Sequence, residues 1–151
     1  DPPMLSIAVQ RANGESKDTA RNVLESGEAV LHIVDADNVE QANNTSAPLS
    51  KDESELDISS FTTVDSKVVK VPGLNEAKVR YETELYENVV VYNEKNIPTT
   101  DLLMLKVKHY HIDAAIYRNG YIDPVKLKAV SRLAGNDYAD IGEIFTVERP
   151  E

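Results

Sequence analysis

The sequence predicts a mainly β protein of the α+β class, an antiparallel barrel or sandwich with short helices in its connections. Three observations predict it. Apolar residues alternate or run in short blocks over Met4 to Gln10, Glu28 to Val34, Val79 to Tyr92 and Leu102 to Ile112, the patterns of half-buried and buried strands. Turn signals such as Asn13-Gly14 and the stretch from Asn93 to Thr100 separate them. The helical stripes are few, short and confined to the segments between strands.

Taken in order, the strand Met4 to Gln10 runs into the Asn13-Gly14 turn. Ser16 or Asp18 then caps a helix whose inner stripe is Ala20, Val23 and Leu24, with Gly27 just past its end. Glu28 to Val34 alternates as a strand, and Asp37 to Asn43 reads as a short helix with Val39 and Ala42 inward. From Asn43 to Ser60 the apolar pattern stops around Pro48, which predicts a long surface loop. Lys67 to Val71 has strand character before Pro72-Gly73 breaks it. Two β-rich stretches follow, Val79 to Tyr92 and Leu102 to Ile112. Asp123-Pro124 is a cap followed by proline at the first helical position, with Leu127, Val130 and Leu133 as the stripe and Gly135 as the stop. Ile141 to Val147 closes the chain as a strand.

At 151 residues the chain is read as one domain over 1–151, and with 41% apolar and 28% charged residues it is a folding sequence, not a disordered one. Twenty-six acidic against sixteen basic residues leave a formal charge of −10 without a clustered basic window. Such a surface repels nucleic acid and anionic bilayers. With no cysteine, thiolate zinc sites, iron–sulfur clusters, disulfides and cysteine nucleophiles are excluded. A reducing compartment, the cytoplasm, fits that composition. No apolar run approaches the roughly 20 residues of a spanning helix. Asp1-Pro2-Pro3 leads at once into a strand, so the chain is expected to begin partway into a longer fold.

Among candidate chemistries, His109, His111 and Asp113 alternate along a strand, one face at about 6 to 7 Å spacing. Only one other histidine, His32, exists to complete a shell, so no metal is expected. There is no Gly-x-Ser-x-Gly elbow, no Walker loop and no Gly-x-Gly-x-x-Gly fingerprint. The segment Gln10 to Thr19 is more informative. It sets Arg11, Lys17, Ser16 and Thr19 at the start of a helix, where free N–H groups and the helix dipole favour an anion such as phosphate. An ordinary capped helix with solvated charges accounts for the same residues, and spacing alone does not separate the two. Tyr138 presents an aromatic face at a pocket rim or is a half-buried tyrosine with its hydroxyl satisfied.

Several segments in this order resemble the flavin reductase-like family of FMN-binding split barrels. They are Asp1-Pro2-Pro3, Lys17-Asp18-Thr19-Ala20-Arg21-Asn22 and Asn43-Asn44-Thr45-Ser46-Ala47-Pro48. After them come His111-Ile112-Asp113, Arg132 to Ala139 and Gly142-Glu143-Ile144-Phe145. The resemblance implies a homodimeric Greek-key split β-barrel binding FMN near the subunit boundary, with NADH or NADPH as co-substrate. It places Lys17 and Thr19 on the FMN phosphate with Arg11 and Asp18 beside them, and Tyr138, with the backbone near Gly135, close to the ring system or nicotinamide. It also implies strands upstream of Asp1 that complete the pocket. Where the family usually has glycine in the strand leading to His111, this chain has Lys106.

The function expected is an FMN-dependent oxidoreductase that takes hydride from NADH or NADPH. Flavin and nicotinamide do that chemistry themselves, so no side chain is expected as a catalytic acid or base. The alternative is a module that stores or senses FMN without efficient turnover.

Overall fold

A computed structural model describes residues 2–47, 49 and 53–150 of the chain. Asp1 and Pro48, each part of a motif that carried the resemblance, lie outside the described residues.

The elements are β1 (Met4–Gln10), α1 (Asp18–Ser26), β2 (Glu28–His32), α2 (Val39–Asn44), a 3-10 turn (Glu55–Ile58), β3 (Thr63–Val64) and β4 (Gly73–Leu74). They continue with β5 (Val79–Tyr92), β6 (Pro98–Ile112), β7 (Tyr117–Arg118), β8 (Tyr121–Ile122), α3 (Pro124–Leu127), β9 (Val130–Arg132) and β10 (Tyr138–Asp140). The mainly β class expected from the alternation is what forms. Its centre is a four-stranded antiparallel sheet in the order β1-β6-β5-β2.

The long hairpin β5-β6 is the spine of this sheet. Asn93 makes its turn by accepting the Lys95 and Ile97 N–H groups on its side-chain oxygen, and Asn96 takes a left-handed φ of 59°. Along β6, Asp101, Leu103, Leu105 and Val107 are buried at alternate positions, so one face of the strand points into the core. Leu103 and Leu105 pair with Ile7 and Leu5 of β1. They pack with Ala20 and Val23 of α1, against which Val9, Ala29, Leu31 and Leu85 also lie. The helix thus lies on the sheet by its short side chains, and Leu24, expected inward, is exposed instead. Gly27 ends α1 at φ 72°, and its N–H bonds the Val23 carbonyl, the left-handed stop that glycine makes without a Cβ clash.

Four further expectations are corrected. Lys67 to Val71 is a bend, not a strand, because its N–H groups turn inward to carboxylates: Lys67, Val68 and Val69 to Glu82, and Lys70 to Glu28. The strand from Glu28 ends at His32; beyond it the Val34 carbonyl accepts from Val130 N–H and Asp35 bridges Ala129. The helix after Asp123 is a single turn. Asp123 caps it as expected, but Lys128 takes φ 53°, and Val130 and Leu133 belong to the β9-β10 hairpin whose turn holds Gly135 at φ 66°. Ile141 to Val147 forms no strand among the described residues and leaves Ile144, Phe145 and Val147 exposed.

Candidate functional site

The loop between β1 and α1 is held by a buried carboxylate. Asp101 is fully buried, and its Oδ1 accepts from Arg11 Nη2 at 2.6 Å while its Oδ2 accepts from the Ser16 hydroxyl at 2.7 Å. Burial alone pushes this carboxyl up. The hydrogen bonds from Arg11, Ser16 and Asn88, with the Arg11 charge, outweigh it and hold the group below its ordinary value. Arg11 also donates from Nη1 to the Gly14 carbonyl at 2.9 Å, across the turn in which Asn13 and Gly14 have φ 53° and 84°. Arg11 is therefore an internal strut of the loop, and its guanidinium faces Asp101.

That strut sets the direction in which α1 begins. The cap expected from Ser16 or Asp18 does not form: Lys17 is the N-cap residue and no side chain caps the helix, because the Ser16 hydroxyl is taken by Asp101 and Asp18 by Arg21. The Arg21 N–H reaches back to the Lys17 carbonyl at 3.0 Å, so the N–H groups of Asp18, Thr19 and Ala20 are the orphan donors of the first turn. Asp18 is ion-paired with Arg21, whose Nη1 also donates to the Ser16 carbonyl at 3.3 Å. Asp18 is thus turned toward its own helix. Lys17 and Thr19 are exposed and make no ion pair or side-chain hydrogen bond among the described residues.

A cleft of about 590 Å³ opens at this helix start, walled by Lys17, Thr19 and Arg21 on one side and Thr45, Ala47 and Leu49 on the other. A second recess of about 450 Å³ adjoins it and shares Thr19, Thr45 and Glu55. This inner recess is walled by Ile33, Val34, Phe61 and Leu74, with His32 and Asn38 among them. His32 Nε2 accepts from the Leu74 N–H at 3.0 Å. Burial, and then the Arg80 charge opposite it on β5, lower its pKa to about 4. β4 comes this close to Arg80 because residue 73 is glycine: a Cβ there would lie 2.9 Å from Arg80 Cδ.

Tyr138, on β10, donates from its hydroxyl to Asn43 Oδ1 at 3.3 Å and is partly exposed. It steadies the end of α2 that leads into the Thr45 to Ala47 wall. Of the five residues expected at the site, Lys17, Asp18 and Thr19 border the cleft, while Arg11 and Tyr138 line neither it nor the inner recess and bond Asp101 and Asn43 instead. That Thr45, Ala47 and Leu49 wall the cleft, and that an inner recess forms around His32 and Phe61, was not anticipated from sequence, since periodicity does not show which distant loops meet.

His109 and His111 touch edge to face, with ring centroids 4.7 Å apart, and His111 Nε2 is held by Glu82. Glu82 is fully buried, yet its pKa falls to about 2: burial raises it, and the His111 bond with three backbone N–H groups more than reverses that. No group of three or more histidine, aspartate or glutamate side chains is arranged to hold a metal among the described residues. No helix of the described residues is long and apolar enough to cross a membrane.

Residues 1–125 match the flavin reductase like domain. An uncharacterized Bacillus subtilis protein, YwrF, is 49% identical over 99% of this chain and 74% of its own. The crystal structure of nitrilotriacetate monooxygenase component B from Bacillus cereus superposes with a TM-score of 0.94 at 41% identity, over 97% of this chain and 72% of that one. Flavoredoxin of Desulfovibrio vulgaris superposes at 0.79 with 18% identity, over 96% of this chain and 73% of the other, a likeness of fold alone. The chain belongs to the flavin reductase-like domain family and has its split-barrel fold.

The donors at the α1 start fit the phosphate group of FMN. The uncapped first-turn residues Asp18 and Thr19, with Lys17, border one opening that Glu15 and Glu55 also line, and backbone N–H groups, an ammonium and a hydroxyl are the donor set that stabilises a phosphate monoester. The adjoining volumes are of the size that ligand sites take.

Proposed function

We propose that this protein is an FMN-dependent oxidoreductase that transfers hydride from NADH or NADPH to flavin. The observation that carries the reading is the uncapped start of α1, with Lys17 and Thr19 unpaired at the mouth of a two-part cleft. It occurs in a chain of the flavin reductase-like family.

In this reading Lys17, Thr19 and the first-turn N–H groups bind the phosphate, and Asp18 is paired with Arg21 in the wall of the cleft. Arg11 and Asp101 hold the loop that aims those donors. The recess lined by Phe61, Leu74 and Ile33 excludes water from the flat ring system. When bound, the flavin supplies the redox chemistry, accepting hydride from the nicotinamide. The chain's part is binding and orientation, so no side chain is assigned an acid or base role.

The protein acts, we infer, as a homodimer in the cytoplasm. A second copy covering the exposed Ile144, Phe145 and Val147 accounts for apolar side chains that no described strand covers.

An FMN titration followed by flavin fluorescence, then steady-state oxidation of NADH and of NADPH with FMN present, tests the proposal. Saturable binding and turnover with at least one nucleotide are expected. Saturable binding with no turnover makes the protein a flavin store or sensor, and no binding removes the flavin reading.

A further inference from the structure

β2 carries a histidine amid apolar neighbours, and that histidine borders the inner recess of the cleft together with Thr19. Its Nε2 accepts the Leu74 N–H at 3.0 Å. A backbone N–H can only donate, so Nε2 must present its lone pair there. In a neutral imidazole the other nitrogen then bears the proton. His32 is the Nδ1–H tautomer.

The same contacts keep the ring from gaining a second proton. An added proton on Nε2 would face the Leu74 N–H head-on and would set a second cation opposite Arg80, its β5 partner in register. Burial adds to this, so the ring stays neutral until well below neutral pH. No described residue accepts from Nδ1, and the ring is only half-buried. The Thr45 hydroxyl across the recess is already committed to the Ala42 carbonyl at 2.8 Å.

We propose that His32 is a positioning residue for the flavin, donating from Nδ1 to an acceptor atom of its ring system. This rests on the flavin reading of the cleft. A phosphate selects the charged helix start, whereas a neutral, fixed donor in a recess that Ile33, Phe61 and Leu74 line matches the carbonyl and imine acceptors along the edge of an isoalloxazine. Because the ring does not titrate near neutrality, it is a constant donor and not a proton shuttle.

The test is a long-range proton–nitrogen correlation spectrum of the unmodified protein labelled with ¹⁵N-histidine, recorded without and with FMN. At neutral pH His32 should show a protonated Nδ1 and a bare Nε2, and the Nδ1–H proton should move downfield as FMN saturates. His32→Phe should bind FMN about tenfold more weakly and shift the absorption bands of the bound flavin. His32→Asn, with an amide nitrogen near the Nδ1 position, should stay within about threefold of the original affinity. A protonated Nε2, an Nδ1–H unmoved by bound FMN, or unchanged affinity in His32→Phe overturns this inference while the flavin reading stands. Failure of the unmodified protein to bind FMN at all overturns both.

Discussion

Arg11 and Asp101, ninety residues apart in the chain, meet at 2.6 Å between the end of β1 and the buried face of β6. The pair ties the loop before α1 to the core of the sheet, and Ser16 adds a second tether to the same carboxylate at 2.7 Å. Asp101→Ala leaves the Arg11 guanidinium largely buried without its partner, and removing one member of such a pair costs about 3 kcal/mol. A urea midpoint lowered accordingly, with weaker FMN binding, is the expected result. An unchanged midpoint would show that the loop is held by something else.

Thr19→Ala separates binding from stability. Thr19 is exposed and supports no other side chain among the described residues, so the melting temperature should hold. FMN affinity should fall by about 1.5 kcal/mol, the worth of one hydrogen bond to a charged acceptor at the low end. Lys17→Ala should weaken binding most at low salt, since an exposed charge is screened as ionic strength rises. A flavin titration of each variant at two salt concentrations measures both effects.

Acid stability should be lost in two steps. His32 has its pKa lowered from 6.5 to about 4, so the unfolded chain binds the proton first, and the stability present above 6.5 is lost as pH falls toward 4. Glu82, lowered from 4.5 to about 2, contributes stability above 4.5 that is lost as pH falls toward 2. Glu82→Gln should therefore flatten the lower limb of a stability-against-pH curve and leave the upper limb in place; His32→Asn should do the reverse. Identical curves for all three proteins would contradict the assignment.

A homodimer should scatter light as twice the 16.7 kDa chain mass. Phe145→Glu, placed on a residue that is exposed in the single chain, should shift the protein toward monomer without lowering its helix or strand content. A monomer at all concentrations in the unmodified protein would rule out the pairing.

Much of this fold is legible in the sequence because alternation survives wherever one face of a strand is buried. β1, the β5-β6 hairpin and α1 with its Gly27 stop all follow from local pattern. The misreadings share a cause. At Lys67 to Val71 the valines look like a strand, but a carboxylate from β5 takes the N–H groups that a ladder would need. At Lys128 a left-handed residue ends a helix whose apolar stripe seemed to run on to Leu133. Both are tertiary events.

For the site, the Asn13-Gly14 turn before Lys17-Asp18-Thr19 marks a helix start that faces solvent, and Lys17 and Thr19 stand there. Arg11 carries the same charge as Lys17 and reads the same way locally. Its partner on β6 decides its role. The sign of that partner was visible: Asp101 falls in phase with the buried Leu103 and Leu105, and a carboxylate in a buried stripe calls for a cation. Nothing local marks His32, since its fixed tautomer depends on a backbone group forty-two residues away.

Anaerobic rapid mixing of the FMN-loaded protein with NADH, and separately with NADPH, tests the central claim most directly. The blue absorption band of oxidised flavin should bleach at a rate that saturates with at least one nucleotide and far exceeds that of free FMN under the same conditions. A bound flavin that keeps its oxidised spectrum in the presence of both nucleotides would contradict the account.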